Sequence, residues 1–126
     1  MTLEPFPDTR FSDPPSGFAC VKRAERPGVS RVMLSGELDM ATAPQLEDAL
    51  SEAARDSVAV ILDLSKLEFM DSAGLHAILN AHARLNEANC RLALIAGGPQ
   101  VQRIFEITGV EHRLEFVDTP DAVRSR

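Results

Sequence analysis

The sequence predicts an α/β fold with a mixed, mostly parallel sheet opened by an N-terminal hairpin. Three observations carry this. Strand-like and helical segments alternate from about residue 31 to the end. Residues 58–64 form a nearly unbroken aliphatic run, the pattern of a strand buried on both faces. Pro27-Gly28 stands between two short strand-like segments, as a tight turn requires. At 126 residues, the chain fits one domain with a single core.

The elements follow in order. Residues 1–17 carry Pro5, Pro7, Pro14 and Pro15 without apolar periodicity, so they read as a flexible arm before a domain at 18–126. That stretch also lacks the apolar length of a signal peptide. Residues 18–23 and 31–35 are the two hairpin strands. Thr42 followed by Gln45, with Pro44 in the first turn, has capping-box spacing. Leu46, Ala49, Leu50 and Ala53 then recur at helical spacing, predicting a helix over 43–55. After the strand at 58–64, Asp71 or Ser72 can cap a second helix with the stripe Leu75, Ile78, Leu79, His82 and Leu85. Asn89 is its stop signal. Residues 91–96 are a buried strand and Gly97-Gly98-Pro99 a turn. Val101, Ile104 and Phe105 mark a short helix that Gly109 ends. Residues 114–117 are the last strand, and Thr119-Pro120 starts a final helix that the sequence cuts short. Strands joined through helices pair in parallel and have helix-covered faces.

Composition narrows the function. Aromatics are 5% of residues, with no Trp or Tyr, which argues against base-stacking platforms. A net charge of −6 without a basic stripe argues against nucleic acid and favours a basic protein partner. No apolar run reaches about 20 residues, so no membrane span is expected. Cys20 and Cys90 read as reduced, buried thiols of a cytosolic protein. His76, His82 and His112 match no metal-ligand spacing and read as surface or boundary residues. Gly97-Gly98 matches no phosphate loop. Neither metal nor cofactor is expected.

The informative stretch is Phe69-Met70-Asp71-Ser72-Ala73-Gly74-Leu75. Small residues leave the Ser72 hydroxyl uncrowded at a helix start. A nucleophile elbow needs glycine two residues before and after the serine, and Met70 takes the first position. His76 lies on the same helical face with nothing to orient it, so hydrolysis is rejected and no catalytic residue is assigned. A receiver domain is rejected too. Asp63 ends a suitable strand, but no acidic pair follows the first strand, and Lys22 and Lys66 are the only lysines. Asp63 reads instead as a strand-end polar residue or a helix-contact acid. Two readings of Ser72 stay open on the residues alone: a helix cap, or a phosphate acceptor whose added anion the helix N-terminus stabilises.

Gly36-Glu37-Leu38-Asp39 precedes the first helix. With the 69–75 motif it resembles the STAS domain, and more closely the bacterial anti-sigma factor antagonists, over about residues 18–123. The resemblance implies a single STAS-type domain that is not an enzyme. It implies that Ser72 is phosphorylated by an anti-sigma factor that is also a serine kinase, and dephosphorylated by a phosphatase. The unphosphorylated form would bind that anti-sigma factor and free the sigma factor. Asp39 would share the binding surface with Asp71, Ala73, Gly74 and Leu75. Gly74 would let a partner's backbone approach, and Leu75 would offer apolar contact or, the favoured reading, anchor the helix to the sheet. Ala73 stands where many members carry a second serine, the arm is longer than a minimal domain needs, and the last helix looks short. A monomer in the cytoplasm is expected. The alternative is a scaffold or transporter-associated subunit that binds constitutively.

Overall fold

The structure, a computed structural model, describes residues 17–123. The arm expected at 1–17 therefore lies almost wholly outside the described residues. Five strands form one sheet: β1 (Ala19–Arg26), β2 (Val29–Leu38), β3 (Ala59–Met70), β4 (Arg91–Ile95) and β5 (Glu115–Val117). Their order in space is their order in sequence. β1 and β2 pair antiparallel, and every later pair is parallel. Three helices connect the parallel strands: α1 (Ala43–Ala54), α2 (Ser72–Glu87) and α3 (Pro99–Thr108). The α/β hairpin-plus-parallel architecture is the one the sequence predicts.

The hairpin closes on Pro27 and Gly28. Gly28 has φ 81°, and Pro then Gly with positive φ is type II turn chemistry. α3 begins with Pro99 and α1 carries Pro44 as its second residue, first-turn positions where a missing N–H costs nothing. α3 stops at Gly109, φ 72°, as expected.

The expectation of helices covering both faces is corrected. A right-handed crossover between neighbouring parallel strands always lands on the same side when strand order never reverses. Accordingly the buried residues of all three helices, among them Leu46, Leu50, Leu75, Ile78, Val101 and Phe105, share one core with Val32, Leu34, Val60, Leu62, Leu92 and Leu94. Phe105 meets Phe116 of β5 edge to face, centroids 5.3 Å apart. The opposite face carries a smaller cluster of Val29, Ala59, Ile61, Ala93 and Val123. Val123 reaches it because the final segment makes only a 3-10 turn (Pro120–Ala122) and then extends. Arg26 Nη2 donates to Pro120 O at 2.6 Å, holding this turn against the hairpin.

Four local expectations also change. β3 runs six residues past Leu64, because its register against β2 slips between Met33 and Ser35 and again between Gly36 and Glu37. Asp63 is therefore mid-strand, not at a strand end, and 3% exposed. The capping box at Thr42 does not form; the Thr42 side chain makes no cap bond to α1. The buried stripe of α2 includes Gly74, Ala77 and Ala81, whereas Leu79 and His82 are half-buried. Cys90 is buried and Cys20 half-buried, both free; burial pushes the Cys20 thiol up to about 11. Cys90 lies just before β4 rather than within it.

Candidate functional site

Parallel pairing builds the site. Leu38 at the end of β2 pairs with Met70 at the end of β3, and Asp71 N donates to Leu38 O at 3.2 Å. Residues 39–41 and 71–73 therefore leave the sheet side by side. This is the carboxyl end of the parallel strands, where loops of α/β folds gather their functional groups.

Asp71 caps α2. It is extended, with φ −104° and ψ −173°, and its Oδ1 accepts from Gly74 N at 3.0 Å. Its carbonyl accepts from Leu75 N at 3.0 Å. Ser72 is thus the first helical residue and is exposed. The reading of Ser72 as the cap is displaced, since its neighbour fills that role. The Ser72 hydroxyl makes no hydrogen bond among the described residues. The Ser72 and Ala73 amides are likewise without acceptors there, and they sit at the positive end of a 16-residue helix. An oxyanion on Ser72 would meet two waiting N–H groups.

Gly74, expected to admit a partner's backbone, makes a close approach inside the fold. It is buried, and a Cβ there would lie 2.8 Å from Leu38 O and Leu38 Cγ and 2.9 Å from Met70 Cγ. The close approach is internal: α2 can start against β2 only because residue 74 has no side chain. Leu75, 3% exposed, anchors the helix. Ala73 is half-buried beside Ser72.

Asp39 spends part of its carboxylate locally. Oδ1 accepts from Ala41 N at 3.0 Å and Thr42 N at 3.1 Å. Thr42 Oγ1 accepts from Asp39 N at 2.9 Å and donates to Glu37 O at 3.1 Å. This cross-tied turn fixes the entry to α1, the task expected of the capping box. Oδ2 of Asp39 stays unengaged among the described residues, and the residue is half-buried. Met40, inside that turn, is 78% exposed, and Phe69 on β3 is 44% exposed. Sequence reasoning assigned neither a role, although Met40 directly follows Gly-Glu-Leu-Asp and fits no apolar period.

A buried carboxylate, Asp63, lies on the helix-free face. Its Oδ2 accepts from Arg31 Nη2 at 2.6 Å and Nε at 3.1 Å, and its Oδ1 from Ser65 N at 2.9 Å. Burial raises its carboxyl, but hydrogen bonds from Ser65 and Arg31 outweigh burial and hold it below the ordinary carboxylate range. Glu25 adds a second carboxylate to Arg31, at 3.6 Å. This is a structural cluster that ties β1, β2 and β3 together.

Among the described residues, surface clefts lie away from Ser72. One of about 470 Å³ lies at the hairpin turn between Lys22, Arg26 and Asp56; another of about 440 Å³ lies between Leu67, Glu68 and the start of α3. Neither is lined by Ser72 or Asp39. Among the described residues no three His, Cys, Asp or Glu side chains converge as metal ligands, and no helix is long and apolar enough to cross a membrane. Among the described residues, Ser72 lies exposed at the start of α2.

The STAS domain family model matches residues 21–123. A curated anti-sigma-B factor antagonist of Listeria monocytogenes is 31% identical over 86 residues, 68% of this chain and 75% of that one. The chain is a STAS domain protein of the anti-sigma factor antagonist family. Its likeness extends to an anti-sigma F factor antagonist of Paenibacillus polymyxa, 35% identical over 85 residues, 66% of this chain and 73% of that one. The crystal structure of an anti-sigma factor antagonist from Mycobacterium paratuberculosis superposes with a TM-score of 0.75 at 31% identity, covering 88% of this chain and 94% of that one. Membership and the α/β fold inferred from the two motifs thus agree with both kinds of relative.

Proposed function

We propose that this chain is a non-enzymatic anti-sigma factor antagonist switched by phosphate on Ser72. Unmodified, the surface around Ser72 and Asp39 binds an anti-sigma factor that is also an ATP-dependent serine kinase, and so releases the sigma factor. Transfer of a phosphoryl group to Ser72 adds about −1.5 to −2 charges beside Asp71 and Asp39, and the complex is lost through repulsion and desolvation. A phosphatase restores binding. The protein acts in the cytoplasm, as a monomer alone, without nucleic acid, membrane or cofactor.

The single observation that supports this reading most is the division of labour at the α2 start. Asp71 holds the cap, so the Ser72 hydroxyl is exposed and structurally idle. The helix N-terminus also makes the phosphorylated state compatible with the fold.

The test uses purified anti-sigma serine kinases from the same cell. Incubation with ATP should add one phosphate, located at Ser72 by intact-mass and peptide analysis. Ser72→Ala should bind the cognate kinase as the natural chain does, and Ser72→Asp at least about tenfold more weakly. Equal binding by both variants, with no phosphate on Ser72, would sink the switch and leave a constitutive scaffold or transporter-associated subunit.

A further inference from the structure

Five large apolar side chains are exposed among the described residues, and two of them, Met40 and Phe69, border the surface that carries Ser72. Met40 is the most exposed of all, at 78%. An exposed methionine on a mobile loop would mean little. This one is mounted on a turn that is hydrogen-bonded at nearly every position: Asp39 Oδ1 holds the amides of Ala41 and Thr42, Thr42 Oγ1 holds the Asp39 amide and the Glu37 carbonyl, and Asp39 O holds the amides of Thr42 and Ala43. The backbone is fixed on both sides of Met40 while its side chain is left in water. An apolar group preorganised in this way loses little freedom on docking, which is the requirement for an interface anchor.

Charge states what surrounds the anchor. Glu37, Asp39 and Asp71 lie on the strand ends and loops beside it. An apolar tip in an acidic surround fits an apolar pocket with a cationic rim.

We propose that Met40 is a specificity-determining anchor that enters an apolar pocket of the anti-sigma factor, between Arg or Lys side chains of that pocket's rim. The inference rests on the function proposed above and names the contact that lies outside the phosphate acceptor. It separates two tasks on one surface. Ser72 decides whether the complex forms, and Met40 decides with which partner. Phosphate on Ser72 and burial of Met40 then compete directly, since a dianion beside the anchor must be desolvated for the tip to enter.

The experiment measures the dissociation constant of each purified anti-sigma serine kinase for unphosphorylated chains by calorimetry. Met40→Ala should weaken the cognate complex about 30-fold, and Met40→Leu should stay within about threefold of the natural chain. Ile107→Ala, an equally exposed apolar residue on α3, is the control and should bind normally. Met40→Lys should bind more weakly than Met40→Glu, with the gap narrowing in high salt. Thermal melting should be unchanged for every Met40 variant, because the side chain packs on little. Natural chain and Met40→Ala binding alike would overturn the anchor while the switch stands. Met40→Lys binding as well as Met40→Glu would overturn the cationic rim. A natural chain that self-associates in sedimentation, and that Met40→Ala renders monomeric, would assign the residue to a second copy and overturn the proposal. Binding of no kinase by the natural chain would instead remove the function on which the inference rests.

Discussion

Asp71, Ser72 and Gly74 show how one short segment divides its chemistry. Asp71 supplies the cap, Ser72 the exposed hydroxyl, and Gly74 the space for α2 to meet Leu38. Each role predicts a different mutant. Asp71→Ala should lower stability by about 1 kcal/mol, while Asp71→Asn, which keeps an acceptor oxygen at the cap, should stay close to the natural chain; urea unfolding distinguishes them. Gly74→Ala should cost about 1–3 kcal/mol, because the added methyl meets a backbone carbonyl 2.8 Å away that cannot yield without moving β2. In a thermal melt that is a fall of at least about 5 °C, and an unchanged Tm would show that α2 is not seated on Leu38. Gly36 is constrained more tightly still. Its φ is 85°, and a Cβ would fall 1.7 Å from Gly17 O. The Gly-Glu-Leu-Asp motif is thus partly a packing requirement: Gly36 admits the chain at residue 17, Leu38 receives α2, and Asp39 closes the turn.

At the level of elements, β3 is where sequence and structure part. Residues 59–64 are apolar on both faces and were legible as a buried strand. Beyond them Ser65, Lys66, Glu68 and Phe69 are exposed, and the alternation breaks twice. Two register slips against β2 account for this, since each extra residue moves the following side chains to the other face. No local pattern announces a bulge, so the strand seemed to end at Leu64 and Asp63 to lie at its edge. The site itself was easier to read: Asp39 and Ser72 come together through the pairing of β2 and β3, which the alternation of elements implied. The missed residue, Met40, follows no period, because a side chain that packs on nothing leaves no periodic trace. Asp63 now has a testable role. It accepts from Ser65 N at the first slip while pairing with Arg31, so it fixes the point where β3 shifts register. Its carboxyl is held below its ordinary value, near 3.9, so the ionised form stabilises the fold. That stabilisation is complete above the ordinary value and is lost as pH falls through the lower, folded one. Asp63→Asn should therefore unfold at lower urea at pH 7 and flatten the loss of stability below about pH 4. Some acid sensitivity should persist, because the hydrogen bond from Arg91 lowers the Glu115 carboxyl as well. A variant whose stability-against-pH curve parallels the natural one would rule out Asp63 as a contributor.

For the molecule as a whole, the one-sided helix layer sets how the proposed switch would work. All three helices pack on one face of a sheet whose order never reverses, so the carboxyl ends of the parallel strands form a single rim. Ser72 stands on that rim with its hydroxyl outside the core, and α2 is fixed below it by Leu75, Ile78, Ala81 and Leu85. Nothing among the described residues couples the hydroxyl to the packing. Two effects of a phosphate on stability oppose each other: attraction to the α2 N-terminus, about 0.3–1 kcal/mol, and repulsion from Asp71 and Asp39 in water, of similar size. The fold should therefore be indifferent to modification, and the signal should reside in the changed surface alone. Phosphorylated and unmodified chains should melt within about 4 °C of each other, which corresponds to under about 1 kcal/mol for a domain of this size. Their amide spectra should differ only around residues 37–42 and 68–76. Shifts that reach β5 or the helix-free face at Ile61 and Ala93 would show instead that phosphate rearranges the core, and that the surface-charge mechanism is wrong.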